Sequence, residues 1–311
     1  MAPTRASALS PLITADRLAQ LNHRSDTAGW RQVIGHLAVI VVSGAIWLQP
    51  ALPLPLRLVA LLTLGAALAF GFCAMHECGH RTAFASREIS DAVAWWAGVL
   101  SFYNADFYRR YHQWHHRYTH QPGLDPELED PPPSTLAAYL LELSGLPWWL
   151  AKLRGHWRGL RGDFSGCPYI PEEAAAQVRD SIRRQFAVYG VLLLASIPAG
   201  NGLLLWAWLL PLALGQPLLR FVLLAEHGGC ATSDNGLQNT RTTLTAAPLR
   251  WLMWNMPFHS EHHLYPSLPF HALAAAHQDL APQLGHIAPG YVAVHREFLR
   301  DLSVLAIPER A

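Results

Sequence analysis

The chain has 311 residues, of which 51% are hydrophobic and only 14% charged, with a net charge of +1. A soluble protein typically carries about 25% charged residues, so this composition points to a chain with much of its surface in lipid. A net charge so near zero gives no ground for nucleic-acid binding, and the four scattered cysteines, with no C-x-x-C pair, give neither a disulfide framework nor a thiolate zinc site.

The opening segment through Arg24 has no apolar core of signal-peptide type, and an amphipathic helix is expected from about Thr14 or Asp16. Val33–Leu48 and Leu54–Met75 are apolar runs close to the ~20 residues that cross a bilayer. With the proline-rich turn QPALP between them they read as a helical hairpin. Two shorter apolar stretches, 92–103 and 136–153, carry Trp pairs and read as interfacial helices. LDPELEDPPP (124–133) reads as a loop. Phe186–Pro198 and Leu203–Leu224 form a second hairpin about Ala199-Gly200-Asn201-Gly202, with Pro211 and Pro217 expected to kink the return.

Neither hairpin turn carries a Lys or Arg. By contrast Arg5, Arg17, Arg24 and Arg31 precede the first run, and the segment between the hairpins is arginine-rich. The positive-inside rule therefore puts both termini and the middle segment on the cytoplasmic side of an inner or plasma membrane. The expected fold is all-α and integral to the membrane: four transmembrane helices in two hairpins, with a cytoplasmic helical cap. It is expected as one domain over 1–311, divided into an N-terminal segment (1–30), hairpins at 33–75 and 186–224, and cap segments at 76–185 and 225–311.

Residues 112–120 read HQWHHRYTH, four histidines in nine positions. Imidazole is the commonest metal ligand among side chains, and this cluster has partners. HECGH places His76 and His80 at i and i+4 on one helical face. HQWHH places His112, His115 and His116 at i, i+3 and i+4, and HSEHH repeats that spacing with His259, His262 and His263. His227, in LAEHGGC, closes the fourth apolar run. All nine fall on the expected cytoplasmic side. A catalytic zinc takes three protein ligands and a structural one four, so nine imidazoles suit two metals with positions left for water, oxygen or substrate. Ligand type alone does not choose the metal. Two metals beside apolar helices that can hold an alkyl chain favour iron and O2, because simple acid–base catalysis does not break an aliphatic C–H bond.

The boxes HECGH, HQWHH and HSEHH in this order, with His227, FYRRYHQWHHRYTHQPGLDPELEDP, NTRTT and PFHSEHHLYPSLP, resemble the membrane fatty acid desaturase and hydroxylase superfamily of di-iron enzymes over roughly residues 30 to 280. The resemblance implies a histidine-rich di-iron site in the cap and a lipid or acyl substrate. It also implies O2 as co-substrate and electrons from a separate donor, a ferredoxin or a cytochrome b5-like protein with its reductase. The nine histidines named are the implied ligands. In the animal acyl-CoA desaturases an asparagine one turn before the isolated histidine helps to hold a metal-bound water; here that position is Leu223. Desaturation is the favoured reaction and hydroxylation by the same first step the alternative. HECGH also fits the H-E-x-x-H pattern of zinc proteases, which would leave the other boxes unexplained.

Around the boxes, Glu77, Glu226 and Glu261 each adjoin a histidine and are candidates to accept a ligand's other N–H. Asp106, Asp125 and Glu129 are further candidates, and His120 extends the second box by one turn. Arg154, Arg158 and Arg161 belong to a basic face that an acidic electron donor would find complementary.

Overall fold

The computed structural model describes residues 12–130, 132–200 and 202–305; Arg5, Pro131 and Asn201, which figure in the expected topology, lie outside them. Helix α1 (Ala15–Leu21) starts at Thr14, whose Oγ1 accepts the Arg17 N–H as a side-chain cap. α2 (Asp26–Leu48) starts the same way on Ser25. Pro50 and Pro53 separate it from α3 (Leu54–Gly79), which has Pro55 in its first turn and ends in the first histidine box.

α3 is the axis of the molecule. It packs against α2, α4 (Arg87–Ser101) and the late helix α9 (Leu210–His227). The approach to α9 is closest at Gly65 and Gly215: a Cβ on Gly215 would lie 2.0 Å from the Gly65 carbonyl oxygen. Backbones meet this closely only where side chains are absent, as at helix crossings in membranes. The crossing brings the ends of α3 and α9, and so His76 and His227, to one end of the bundle.

Among the described residues three helical stretches are long and apolar enough to cross a membrane: Asp26–Leu48, Leu54–Gly79 and Leu205–His227. Their outer faces keep large apolar side chains uncovered, with Val41, Val59 and Leu62 between 62% and 66% exposed, a surface that suits lipid rather than water. The apolar run 186–198 is not a separate helix. It is the C-terminal half of α8 (Glu172–Ala199), whose first half is charged, and the helix stops at Gly200 with φ +59°. The return begins with a π-helical turn, Leu205–Leu209, directly before Pro211, which has no N–H for a regular helical bond.

The stretch 136–153 forms two helices rather than one, α6 (Leu136–Leu143) and α7 (Leu146–Leu160). Gly145, at φ +74° and packed on Gln216, breaks it, and Pro147 restarts it. The remaining cap contains α5 (Ala105–Tyr118), α10 (Ala247–Leu252), α11 (His259–Leu264), α12 (Leu273–Leu280) and α13 (Tyr291–Arg300). A two-residue parallel pair, Thr242–Thr243 with Ile287–Ala288, interrupts the helical expectation. The acidic loop holds one 3-10 turn, Pro126–Leu128. His36 links cap to bundle: its Nε2 donates to Ala67 O (2.8 Å) and its Nδ1 accepts the Trp254 indole N–H (3.1 Å).

Candidate metal centre

The histidines converge at the cap end of α3 and α9 and divide into two groups. His76, His80, His112, His116 and His262 bring ring nitrogens within 4.8 Å of one another. His115, His227 and His263 do the same, and His259 joins them, its Nε2 lying 3.2 Å from His227 Nε2 and 3.1 Å from His263 Nε2. Each H-x-x-H-H box is shared. On α5 the i, i+4 pair His112 and His116 faces the first group while His115 turns to the second. On α11 the pair His259 and His263 faces the second while His262 turns to the first.

These nitrogens are held apart from solvent and from protons. Burial, reinforced by neighbouring histidines, holds His112, His116, His259, His262 and His263 well below the usual imidazole pKa; burial, then the charge of Arg109, brings His80 to about 3. Neutral imidazole is the form that ligates. His115 differs: burial opposes its protonation, but Glu127 and Asp125 outweigh burial and raise it. His76 Nε2 and His80 Nε2 are buried with no hydrogen-bond partner among the described residues. His116 Nε2 lies 3.0 Å from His112 Nε2 and 3.1 Å from His262 Nε2. Neutral ring nitrogens packed so closely have lone pairs that the chain itself does not satisfy, and two metal ions fit this donor set.

Three histidines of the second group are held from behind. His115 Nδ1 donates to Asp125 Oδ1 (2.9 Å), His227 Nδ1 to Asn239 O (3.0 Å) and His263 Nδ1 to Thr119 Oγ1 (3.1 Å). Thr119 passes its own proton to His115 O (2.8 Å). Each contact fixes a tautomer that leaves Nε2 free to ligate. Arg241 binds Ala225 O and Gly228 O, fastening the last turn of α9 and with it His227. Asp125 was among the carboxylates considered from sequence; Asn239 and Thr119 gave no such signal, because a backbone carbonyl or a threonine hydroxyl carries none.

The other candidate residues fall elsewhere. Glu77 turns away from the histidines adjoining it, accepting from Thr82 Oγ1 (2.5 Å) and Phe270 N–H (3.0 Å), so it is not placed as the general base of a zinc protease. Glu261 accepts from Thr242 Oγ1 (2.5 Å) and from His277, which is outside both groups. Asp106, in the first turn of α5, makes no hydrogen bond to any of the nine. His120, at φ +57°, donates through Nδ1 to Ala231 O (2.9 Å), and its ring centroid lies 5.9 Å from that of His227. Glu226 Oε2 lies 3.4 Å from His259 Nε2. Arg154, Arg158 and Arg161 are exposed, with Arg158 paired to Asp163 (2.9 Å).

A cavity of about 870 Å³ reaches both groups, touching His76 and His112 of the first and His115, His227 and His259 of the second. Its walls are aromatic: Phe72 lies 4.8 Å from Tyr103 and 5.3 Å from Tyr108, and Tyr108 stacks on His112 at 5.0 Å between ring centroids. Its lining also includes basic side chains, among them Arg220, which donates to the Tyr103 hydroxyl (2.9 Å), and Lys152, with Nζ 4.1 Å from the Tyr103 ring centroid.

The family model described as fatty acid desaturase matches residues 52–295. An sn-1 oleoyl-lipid 12-desaturase of Picosynechococcus sp. is 30% identical over 146 residues, covering 43% of this chain and 42% of that protein. An sn-1 oleoyl-lipid 12-desaturase of Anabaena variabilis is 23% identical over 283 residues, 88% of this chain and 69% of the relative. The chain thus spans less than half the length of the first relative.

Proposed function

Because the chain belongs to the fatty acid desaturase family, we propose that it is an O2-dependent di-iron oxidoreductase of the membrane that introduces a double bond into the acyl chain of a lipid. The observation that carries this reading is the division of nine histidines into two adjoining groups at the wall of one cavity. On this assignment His76, His80, His112, His116 and His262 hold one iron, and His115, His227, His259 and His263 hold the other. Bound there, the irons would supply reductive activation of O2 and removal of hydrogen from an unactivated carbon.

The protein's part is to hold and to exclude. Asp125, Thr119 and Asn239 keep three imidazoles in the tautomer that presents Nε2. Phe72, Tyr103, Tyr108 and Trp148 line the cavity with rings that shed water and confine an alkyl chain near the histidines. The apolar half of α8 supplies a fourth span, pairing with Leu205–His227 as a second hairpin. The histidines, both termini and the cap then lie on the cytoplasmic side in a single domain. Electrons come from a separate ferredoxin or cytochrome b5-like protein docking on the exposed Arg154, Arg158 and Arg161.

The test is mass spectrometry of lipids from a host that expresses the chain with a matching reductase and ferredoxin. A double bond is expected that disappears in His262→Ala. A new hydroxyl in its place would make the protein a hydroxylase, and unchanged lipids from an iron-loaded protein would remove membrane acyl chains as substrates.

A further inference from the structure

The two histidine groups are unequal, five against four. The carboxylate of Glu226 meets the smaller one at the ring nitrogen of His259 that faces its fellow histidines. Its Oε2 is 3.4 Å from His259 Nε2, the same atom that stands 3.2 Å from His227 Nε2 and 3.1 Å from His263 Nε2. A metal about 2.1 Å from each donor spaces neighbouring donors roughly 3.0–3.4 Å apart, so Glu226 Oε2 stands to His259 Nε2 at the spacing of a fellow donor. The opposite nitrogen, His259 Nδ1, is buried without a hydrogen-bond partner among the described residues, so Glu226 is not supporting that ring from behind.

Glu226 Oε1 is likewise buried and has no hydrogen-bond partner among the described residues. The residue is 5% exposed overall and borders the cavity that reaches the histidines. A buried carboxylate oxygen left without a partner is costly, and natural chains keep one where an ion or ligand completes it. Leu223, one turn earlier on the same helix and also bordering the cavity, offers no donor in its place.

We propose that Glu226 is a direct ligand of the metal held by His115, His227, His259 and His263, giving each of the two metals five protein donors. The inference rests on the two-metal reading above. It makes the two metals chemically distinct: one sees only neutral imidazoles, while the other sees a hard, charged oxygen that offsets part of its own charge.

The test uses full-length protein purified with 57Fe. Mössbauer spectra are taken for the wild type, Glu226→Gln and Glu226→Asp, together with the rate of iron loss to a chelator. In Glu226→Gln one of two iron sites is expected to change its spectrum and to lose metal at least tenfold faster, with the other site unmoved. Glu226→Asp, which keeps the carboxylate, is expected to hold both irons within threefold of the wild type. Wild-type spectra and retention in Glu226→Gln would overturn the proposal. So would loss from Glu226→Asp as fast as from Glu226→Gln, since the side chain would then serve only by its size. His263→Ala tests the underlying reading separately: if it keeps both irons, the histidine assignment itself fails.

Discussion

His115 and His116 are neighbours in sequence, yet they face different groups. On a helix adjacent residues point about 100° apart, and two sites set side by side across α5 can share one box. The spacing of the boxes and the family resemblance picked out the nine histidines that converge here, whereas their partition was not legible, because it depends on where α11 lies against α5. The contacts behind the rings are equally local. Replacing Asp125 by Asn keeps the shape but removes the charge that holds the His115 N–H. Iron retention at the four-histidine site is expected to fall about 10–100-fold, measured by chelator competition, with the five-histidine site unaffected. Lys152, the only lysine in the chain, carries a second prediction. Burial, then the charge of Arg220, lowers its pKa to about 7. Between pH 7 and 10 the unfolded chain therefore holds a proton that the folded chain has released, and this group makes stability rise with pH across that window. In Lys152→Met the thermal midpoint is expected to be higher at pH 7 and to climb less towards pH 10.

The helices show which sequence signals sufficed. The first hairpin was legible because its two runs are uninterrupted and joined by prolines. α8 was not legible at its start, since hydropathy marks only its apolar half and the charged half continues the same helix back to Glu172. The break between α6 and α7 rests on Gly145, whose left-handed backbone a hydropathy pattern does not register. The crossing of α3 and α9 matters most for the site, because it fixes where His76 and His227 end. A methyl group on Gly215 would meet the Gly65 carbonyl at 2.0 Å, and neither backbone can turn aside as a side chain would. Gly215→Ala is expected to destabilise the protein by about 1–3 kcal/mol, read as a lower thermal midpoint, and to release iron alongside. An equally stable variant with full metal content would show that the crossing does not position the site.

At the scale of the molecule, the described helices gather their histidines at one end and their exposed apolar side chains along the shaft. The proposed topology follows from that polarity and from the arginine bias of the cap. Single cysteines placed at Leu52 and Gly200 in an otherwise cysteine-free protein are expected to label from one side of a sealed vesicle, and cysteines at Gly166 and Asp234 from the other. Labelling of position 200 from the same side as position 166 would remove the fourth span. The sequence carried three of the apolar helices and the boxes that meet at one end of them. Tertiary packing alone carried the cavity, the Thr119 and Asn239 contacts, the choice of Asp125 over Asp106, and the facing of Glu226. Above all of these stands the claim that nine histidines hold two irons. Metal content per chain, measured on the purified protein by plasma mass spectrometry, tests it most directly. Two irons per chain are expected in the wild type and fewer in His262→Ala; a single zinc per chain, with no iron, would contradict the account.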